Sequence, residues 1–453
     1  MDWIIMIAGS SGASSSLERI VMDPSTLVGR EGYYRVGKST RGRWWIVRPD
    51  GRPMLYKGLC SMGPLPPPNR PAPAEGSDEP IPSDELAAYW LGQLAQTGFN
   101  GLGSWVKEHY WNRGWPFTVL IHVRKATDNL WTVHPPKHVD IFDAAWRAAY
   151  DAKCRQICTP LANSKDLLGY FVDNEPSWGQ VRQDHVWGQN TDAADRNVQG
   201  VEPLLLQYFL ALEPHRGGHK AAWDFVLARH GGSVAKLASD WNANFDSPGK
   251  FLELHRNGMV LSSANFGRDH DDFTVHFTRE YFRVTAETIR RYDPNHLLLG
   301  CRFGGPPGGK VLEAHDRRHV DVLTANNYRT NFHERMDEYH RPTGLPILNG
   351  EFNWYSGHWA DWDKIVNHQP LSAEEVEFIS RMGPVALEKA FTHPALIGYT
   401  WFKFCTPSCG AHLPACGMFD PSGHPNRFNH DLLRQIHPRL EAIASGELEP
   451  ARG

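Results

Sequence analysis

The chain has 453 residues, 41% of them hydrophobic, and 47 Lys and Arg against 51 Asp and Glu leave a net charge of −4. That balance excludes the broad basic face a nucleic-acid partner would need. No stretch approaches the ~20 apolar residues that cross a bilayer, and the length suits one large core with long loops.

Residues 1–30 are expected to be a poorly ordered leader. The apolar run from Trp3 to Ala8 is short and lacks the basic start of an export signal, so the cytoplasm is favoured over secretion or the periplasm. Residues 31–453 then read as one domain. The runs Trp44–Val47 and Pro53–Tyr56 flank Pro49-Asp50-Gly51 and predict a hairpin. The second run continues to Cys60 as a first barrel strand. Residues 61–82, rich in Pro and Gly, are a loop.

From there the pattern alternates. A helix is predicted from Ser83 to Gln96, strands at Gly98–Trp105 and Phe117–Val123, a helix from Asp140 to about Ala162, and a strand at Leu167–Asp173. Residues 176–270 break the rhythm with helical stretches near 202–213, 218–230 and 233–245, which reads as an insertion over one rim. The alternation resumes with the helix Asp272–Tyr292 and the strands His296–Cys301 and Val320–Asn326. A short helix near 332–340, the strand Pro346–Gly350, the helix Ala373–Phe391, the strand Leu396–Phe402 and a final helix over 429–444 follow. Eight strands separated mostly by helices predict an α/β fold of the (β/α)8 TIM-barrel type. A doubly wound sheet would bring a Gly-rich phosphate turn. Here Gly58-Leu59-Cys60-Ser61-Met62-Gly63 runs into Pro residues instead, which excludes a dinucleotide cofactor.

Two of these strands end in acids. Leu168-Gly169-Tyr170-Phe171-Val172-Asp173-Asn174-Glu175 is the fourth and Leu345-Pro346-Ile347-Leu348-Asn349-Gly350-Glu351 the seventh. Strand ends are where a barrel places its chemistry, and these two lie across the mouth from each other. Paired carboxylates there are the equipment for cleaving a glycosidic bond. The acid of such a pair needs a raised pKa, and the nucleophile needs donors that keep it ionised. Asn174 is placed to bond a sugar 2-hydroxyl, and Asp173 reads as structural. The chain also carries 17 Trp, whose faces suit sugar rings, and 23 His without a His-Glu-x-x-His helix, so no metal is expected. Of seven Cys, Cys154 and Cys158 share a helix face. Cys405, Cys409 and Cys416 cluster after the last strand as a disulfide plus thiol, a metal knot or plain apolar side chains.

The strings GYFVDNEPSWG and PILNGEFNW, with RWWIVRPDGRPMLYKG, GFNGLGSWV and IGYTWFKF, resemble the catalytic barrel of the family 50 β-agarases, within clan A of the retaining glycoside hydrolases. The resemblance spans residues 42–440. It implies Glu175 as acid/base, Glu351 as nucleophile and Asn174 as the 2-hydroxyl contact. It also implies Tyr328 as a donor to the nucleophile and Trp401 as the apolar floor under the sugar. Trp105, Trp178 and Trp354 are candidate walls, and Arg302 is placed to orient a carboxylate or hydroxyl. The implied partner is a galactose-containing oligosaccharide or polysaccharide such as an agar-type galactan, and no cofactor is implied. Two motifs depart from the family. The agarases continue strand seven as Glu-Phe-His-Phe-Gly where this chain has Glu-Phe-Asn-Trp-Tyr-Ser-Gly. They follow strand eight with Asp-Gln-Pro where it has Phe404-Cys405-Thr406-Pro407-Ser408-Cys409. The alternatives are the same chemistry on a β-galactoside, mannan or glucan, and a carbohydrate-binding barrel without turnover.

Overall fold

The structure is a computed structural model that describes residues 16–68, 83–122, 139–176, 204–367, 369–406 and 416–452. Three short antiparallel strands come first: β1 (Arg35–Lys38), β2 (Trp44–Val47) and β3 (Pro53–Met54). Ile46 faces Met54 across the Asp50-Gly51 turn, as the hairpin reading expects. Residues 16–30, expected to be loose, are instead fastened to this sheet. Leu17, Ile20, Met22 and Val28 pack on the core, and Val28 exchanges backbone hydrogen bonds with Val36. The rest of the expected leader, residues 1–15, lies outside the described residues.

The remaining strands are β4 (Tyr56–Leu59), β5 (Gly101–Leu102), β6 (Phe117–Leu120), β7 (Leu167–Phe171), β8 (Leu297–Leu298), β9 (Arg302–Phe303), β10 (Leu323–Asn326), β11 (Ile347–Phe352) and β12 (Leu396–Trp401). They form one parallel sheet in the order β8-β7-β6-β5-β4-β12-β11-β10-β9. Its two ends are halves of a single strand, interrupted at Gly300, which takes a φ of +67°. β8 pairs with β7 and β9 with β10, and a further bridge from Asn174 to Arg302 ties the fourth strand to the second half. The ring therefore closes, and the expected (β/α)8 barrel is the fold, with its eight strands where the sequence puts them.

The helices are α1 (Ser83–Gln96), α2 (Ala144–Leu161), α3 (Leu205–Leu210), α4 (Gly217–Arg229), α5 (Val234–Asp240), α6 (Pro248–Arg256), α7 (Ala264–Tyr292), α8 (Gly309–Glu313), α9 (Phe332–Thr343), α10 (Trp362–Val366), α11 (Ala373–Ala390), α12 (Arg427–Ile436) and α13 (Leu440–Ser445). Cys154 and Cys158 are both buried on α2. The insertion carries one helix more than expected, α6, which Ser247 caps ahead of Pro248 at the first helical position. α7 is longer than predicted because Ser263 caps it and buried Phe266 extends its apolar face into the insertion. Asp140 accepts from the amides of Phe142 and Gly218 and so pins the start of α4 beside the loop before α2.

Inside the barrel, Tyr56 fills the centre. A Cβ on Gly58 or Gly101 would come within 2.6 Å of its ring, and one on Gly398 would meet its backbone carbonyl and Cβ at 2.4 and 2.5 Å, so these three positions stay bare beside it. Its hydroxyl donates to the Leu102 carbonyl. Above it lies a smaller polar layer. Thr400 donates to the Gly350 carbonyl, and Cys60 Sγ stands 3.4 Å from Thr400 Oγ1. This layer is the base on which the strand-end residues stand.

Candidate active site

All six residues of β11 are buried, and Glu351 is 1% exposed near its end. A carboxylate that deep needs donors. Arg302 Nη2 lies 3.0 Å from Glu351 Oε1, and the Tyr328 hydroxyl donates to Oε2. Tyr328 is itself fixed, since its carbonyl accepts 2.6 Å from Trp359 Nε1. Burial raises the Glu351 pKa most, Arg302 pulls it down, the Glu175 charge raises it and the Tyr328 hydroxyl lowers it; the group is pushed up to about 7. Burial also drives the Tyr328 phenol well above its ordinary value, so it stays a donor. A raised pKa is expected of the acid at 175, but the more buried carboxyl is the one at 351.

Arg302 joins the two strand ends. Its guanidinium is wholly buried at the barrel centre. Besides Glu351 it donates to the Gly350 carbonyl and, 2.8 Å away, to Asn174 Oδ1. Glycine at 350 is what makes room, because a Cβ there would sit 2.9 Å from Arg302 Nε. Asn174 Oδ1 also accepts from Asn326 Nδ2 at 3.2 Å, and the same nitrogen donates to Glu175 Oε1 at 2.8 Å. Glu175 thus stands at one end of a hydrogen-bonded chain and Glu351 at the other, joined through Asn326, Asn174 and Arg302. Glu175 is half-buried and left-handed, with a φ of +49°, and its amide donates to the Arg302 carbonyl at 2.8 Å. Ser61 and Trp105 at the same mouth are also left-handed, at +64° and +60°. Such strain, on the order of 1–3 kcal/mol per residue, concentrates where side chains are aimed for function. Asp173 accepts from the Asn174 amide at 3.0 Å, a loop-bonding role.

The aromatic residues divide differently from expectation. Trp105 is 37% exposed, and the Arg302 guanidinium lies over its ring at 4.5 Å. Trp401 does not form an open floor. It is fully buried, donates to the Cys416 carbonyl at 2.7 Å and packs on Trp354 at 4.6 Å. Trp354 is fully buried too and donates to Asn429 Oδ1 at 2.9 Å. Strand parity explains Trp401. Thr400 points into the barrel, so Trp401 points outward to the helix layer and Phe402 inward again. Phe402 is half-buried, and its ring lies 6.1 Å from that of Trp105, edge to face. Trp178 and Cys409 lie outside the described residues. Among the described residues, Cys405 carries a free thiol.

Asn326 and Phe402 are the two site residues the sequence reading passes over. Period-2 counting along β12 would have chosen Phe402. Asn326 ends an apolar strand with a polar residue, the same sign that marks Asn174 and Glu175.

No family profile matches the chain. β-Agarase B of Vibrio sp. (strain JT0107) is 23% identical over 335 residues, covering 71% of this chain and 32% of that protein. This chain thus spans about a third of the length of that curated relative. The structure of an agarase, AgWH50C, superposes with a TM-score of 0.65 at 19% identity, covering 92% of this chain and 66% of that one. BpGH50 superposes at 0.64 and 16% identity, covering 98% and 91%. The resemblance read from the five strings is therefore found again in a curated β-agarase sequence and in the folds of solved family 50 structures.

Proposed function

We propose that the protein is a retaining glycoside hydrolase that cleaves β-linked, agar-type or other galactose-containing glycans with Glu351 as nucleophile and Glu175 as acid/base. The observation that carries this reading is the polar chain that ends in both carboxyls, one deep and bonded through both oxygens, one at the rim and bonded at Oε1 by the Asn326 amide. The curated relative's name, β-agarase, supports the substrate class.

In this reading the sugar lies between the carboxyls and against Trp105 and Phe402. Neutral Glu175 gives its proton to the leaving oxygen while ionised Glu351 attacks the anomeric carbon. As the Glu351 oxygen becomes an ester, its negative charge is lost, and the hydrogen bonds from Arg302 and Tyr328 loosen. Ionised Glu175 then takes a proton from water, and the water oxygen attacks the same carbon from the face the leaving group left. Glu351 departs as a carboxylate, re-forms both bonds, and the product keeps its β configuration. The Asn174 amide, whose oxygen is held by Arg302, turns its nitrogen toward the sugar 2-hydroxyl, a contact that strengthens in the transition state.

The test is product analysis on agarose, neoagaro-oligosaccharides, porphyran, β-galactan, mannan and β-glucan, with Glu351→Gln as the blank. Proton NMR of the first product reads its anomeric form. β-Anomeric neoagaro-type products from wild type alone support the reading. An α-anomer would overturn retention. Cleavage of another glycan would keep the two-glutamate chemistry and discard the agar substrate, and inertness on the whole panel would favour a binding role.

A further inference from the structure

We propose that Asn326 is a positioning residue that decides which oxygen of Glu175 carries the acid proton and which stays an acceptor; this rests on the two-glutamate reading above. The orientation of its amide is forced. Arg302 can only donate, so the Asn174 atom 2.8 Å from Nη1 is an oxygen. That oxygen can only accept, so the Asn326 atom 3.2 Å from it is the amide nitrogen. The same nitrogen lies 2.8 Å from Glu175 Oε1. Oε1 therefore faces an N–H and accepts in both states of the acid, so the proton of the neutral form sits on Oε2. When Glu175 is ionised, the bond becomes charge-assisted and favours the carboxylate, the form that must later take a proton from water.

Stability alone gives a poor account of this side chain. Asn326 is 4% exposed, and its Oδ1 accepts no hydrogen bond from the described residues. A buried carbonyl without a donor is unfavourable. An apolar residue of the same size would avoid that penalty but would lose the donor to Glu175. The backbone adapts to the residue as well, because the β10–β11 register shifts between Ala325 and Asn326 and sets Asn326 opposite Glu351. The missing Cβ of Gly350 completes the arrangement. Placed there, it would lie 2.6 Å from Asn326 Oδ1 and 2.9 Å from Arg302 Nε, displacing both holders of the chain at once.

The experiment measures the pH profile of kcat/KM and the unfolding midpoint for wild type, Asn326→Leu and Gly350→Ala, on whichever glycan the panel shows to be cleaved. Asn326→Leu keeps the branching and the number of heavy atoms and removes donor and orphaned acceptor together. The expected result is a loss of about 100-fold in kcat/KM with a midpoint near that of wild type. The alkaline limb marks loss of the Glu175 proton. Without its donor the carboxylate is less favoured, so the limb should move up by about one pH unit. Gly350→Ala should shift the limb in the same direction. Unshifted limbs in both variants while wild type turns over would overturn this inference and leave the two-glutamate reading standing. An unfolding midpoint that falls in step with activity, with the limb in place, would do the same. A wild type inert on every glycan would remove both.

Discussion

The fourth and seventh strand ends each deliver a glutamate, and they do it in opposite ways. Glu351 lies within the pairing of β11, wholly buried, with both oxygens bonded to rigid donors. Glu175 lies four residues beyond the end of β7, half-buried, with a left-handed backbone, and the Asn326 amide donates to its Oε1. The two jobs of a double displacement differ in the same sense. A nucleophile must hold one position while its charge goes and returns, which suits a packed strand. An acid/base must give a proton to a departing sugar and take one from water at the same face, which suits a rim with solvent access. The difference also explains why the deep group carries the raised pKa. Its two donors act against full burial and a like charge, and burial wins.

The largest expected effect breaks the deep side. Glu351→Gly should abolish hydrolysis, and added azide should occupy the vacated space and attack the anomeric carbon directly. The product is then a glycosyl azide of inverted, α configuration. Rescue giving the β-azide, or no rescue beside rescue of a Glu175 variant, would exchange the two roles. The next effect probes the rim. Glu175→Ala should lose about 10²–10⁴-fold on natural glycans, the usual worth of a general acid. It should lose much less in the first step on aryl glycosides whose leaving group needs no proton. Equal losses on both would remove Glu175 from the acid role.

A smaller effect sharpens the contrast in pKa. The proposed mechanism needs Glu351 ionised, so kcat/KM should fall tenfold per unit as pH drops below about 7, an apparent value that belongs to the coupled pair of acids. Tyr328 lowers that pKa, so Tyr328→Phe should move the acid limb upward. Linkage gives the same sign in folding. The folded pKa is raised from 4.5 to about 7, so the contribution of Glu351 to stability is fully present below 4.5 and is lost as pH rises through 7. The stability of wild type minus that of Glu351→Gln should therefore decline across that window. A difference that is flat with pH would show that burial does not dominate at 351.

The barrel and its two acids were legible because they are written in short-range pattern. Apolar runs alternate with helical periods, and each catalytic candidate follows its run directly. The strand-five break was not legible, because Gly300 and Cys301 continue the apolar run and only the closed ring shows that the strand splits. Trp401 and Trp354 misled, the first for a reason of parity. Both are large aromatic residues near strand ends, but along β12 the face alternates, and Thr400 and Phe402 share the inward side while Trp401 packs under the helices. The leader misled at residues 16–30, where four spaced apolar side chains in a polar stretch suffice to fasten the segment to β1. Arg302 was placed by resemblance at its strand end, but its reach to both acid-bearing strands depends on Gly350, a contact across the barrel that sequence spacing does not reveal.

The smallest predicted effect lies where the two strand ends meet, at Trp105. Its indole covers the guanidinium that ties Glu351 to Asn174, and 37% of the residue stays open. One face of the ring thus excludes water from Arg302, and the other is free for a sugar. Trp105→Ala should raise KM by up to about tenfold, the worth of one aromatic contact. It should also admit water above Arg302. Burial is the largest cause of the raised Glu351 pKa, so the acid limb should move down, opposite to its shift in Tyr328→Phe. Trp401→Ala is the control. A fully buried indole removed from the helix layer should cost about 3–5 kcal/mol of stability and leave the acid limb in place. If Trp105→Ala raises KM but leaves the limb fixed, the indole is a sugar wall only, and the depth of Glu351 is set by the barrel beneath it.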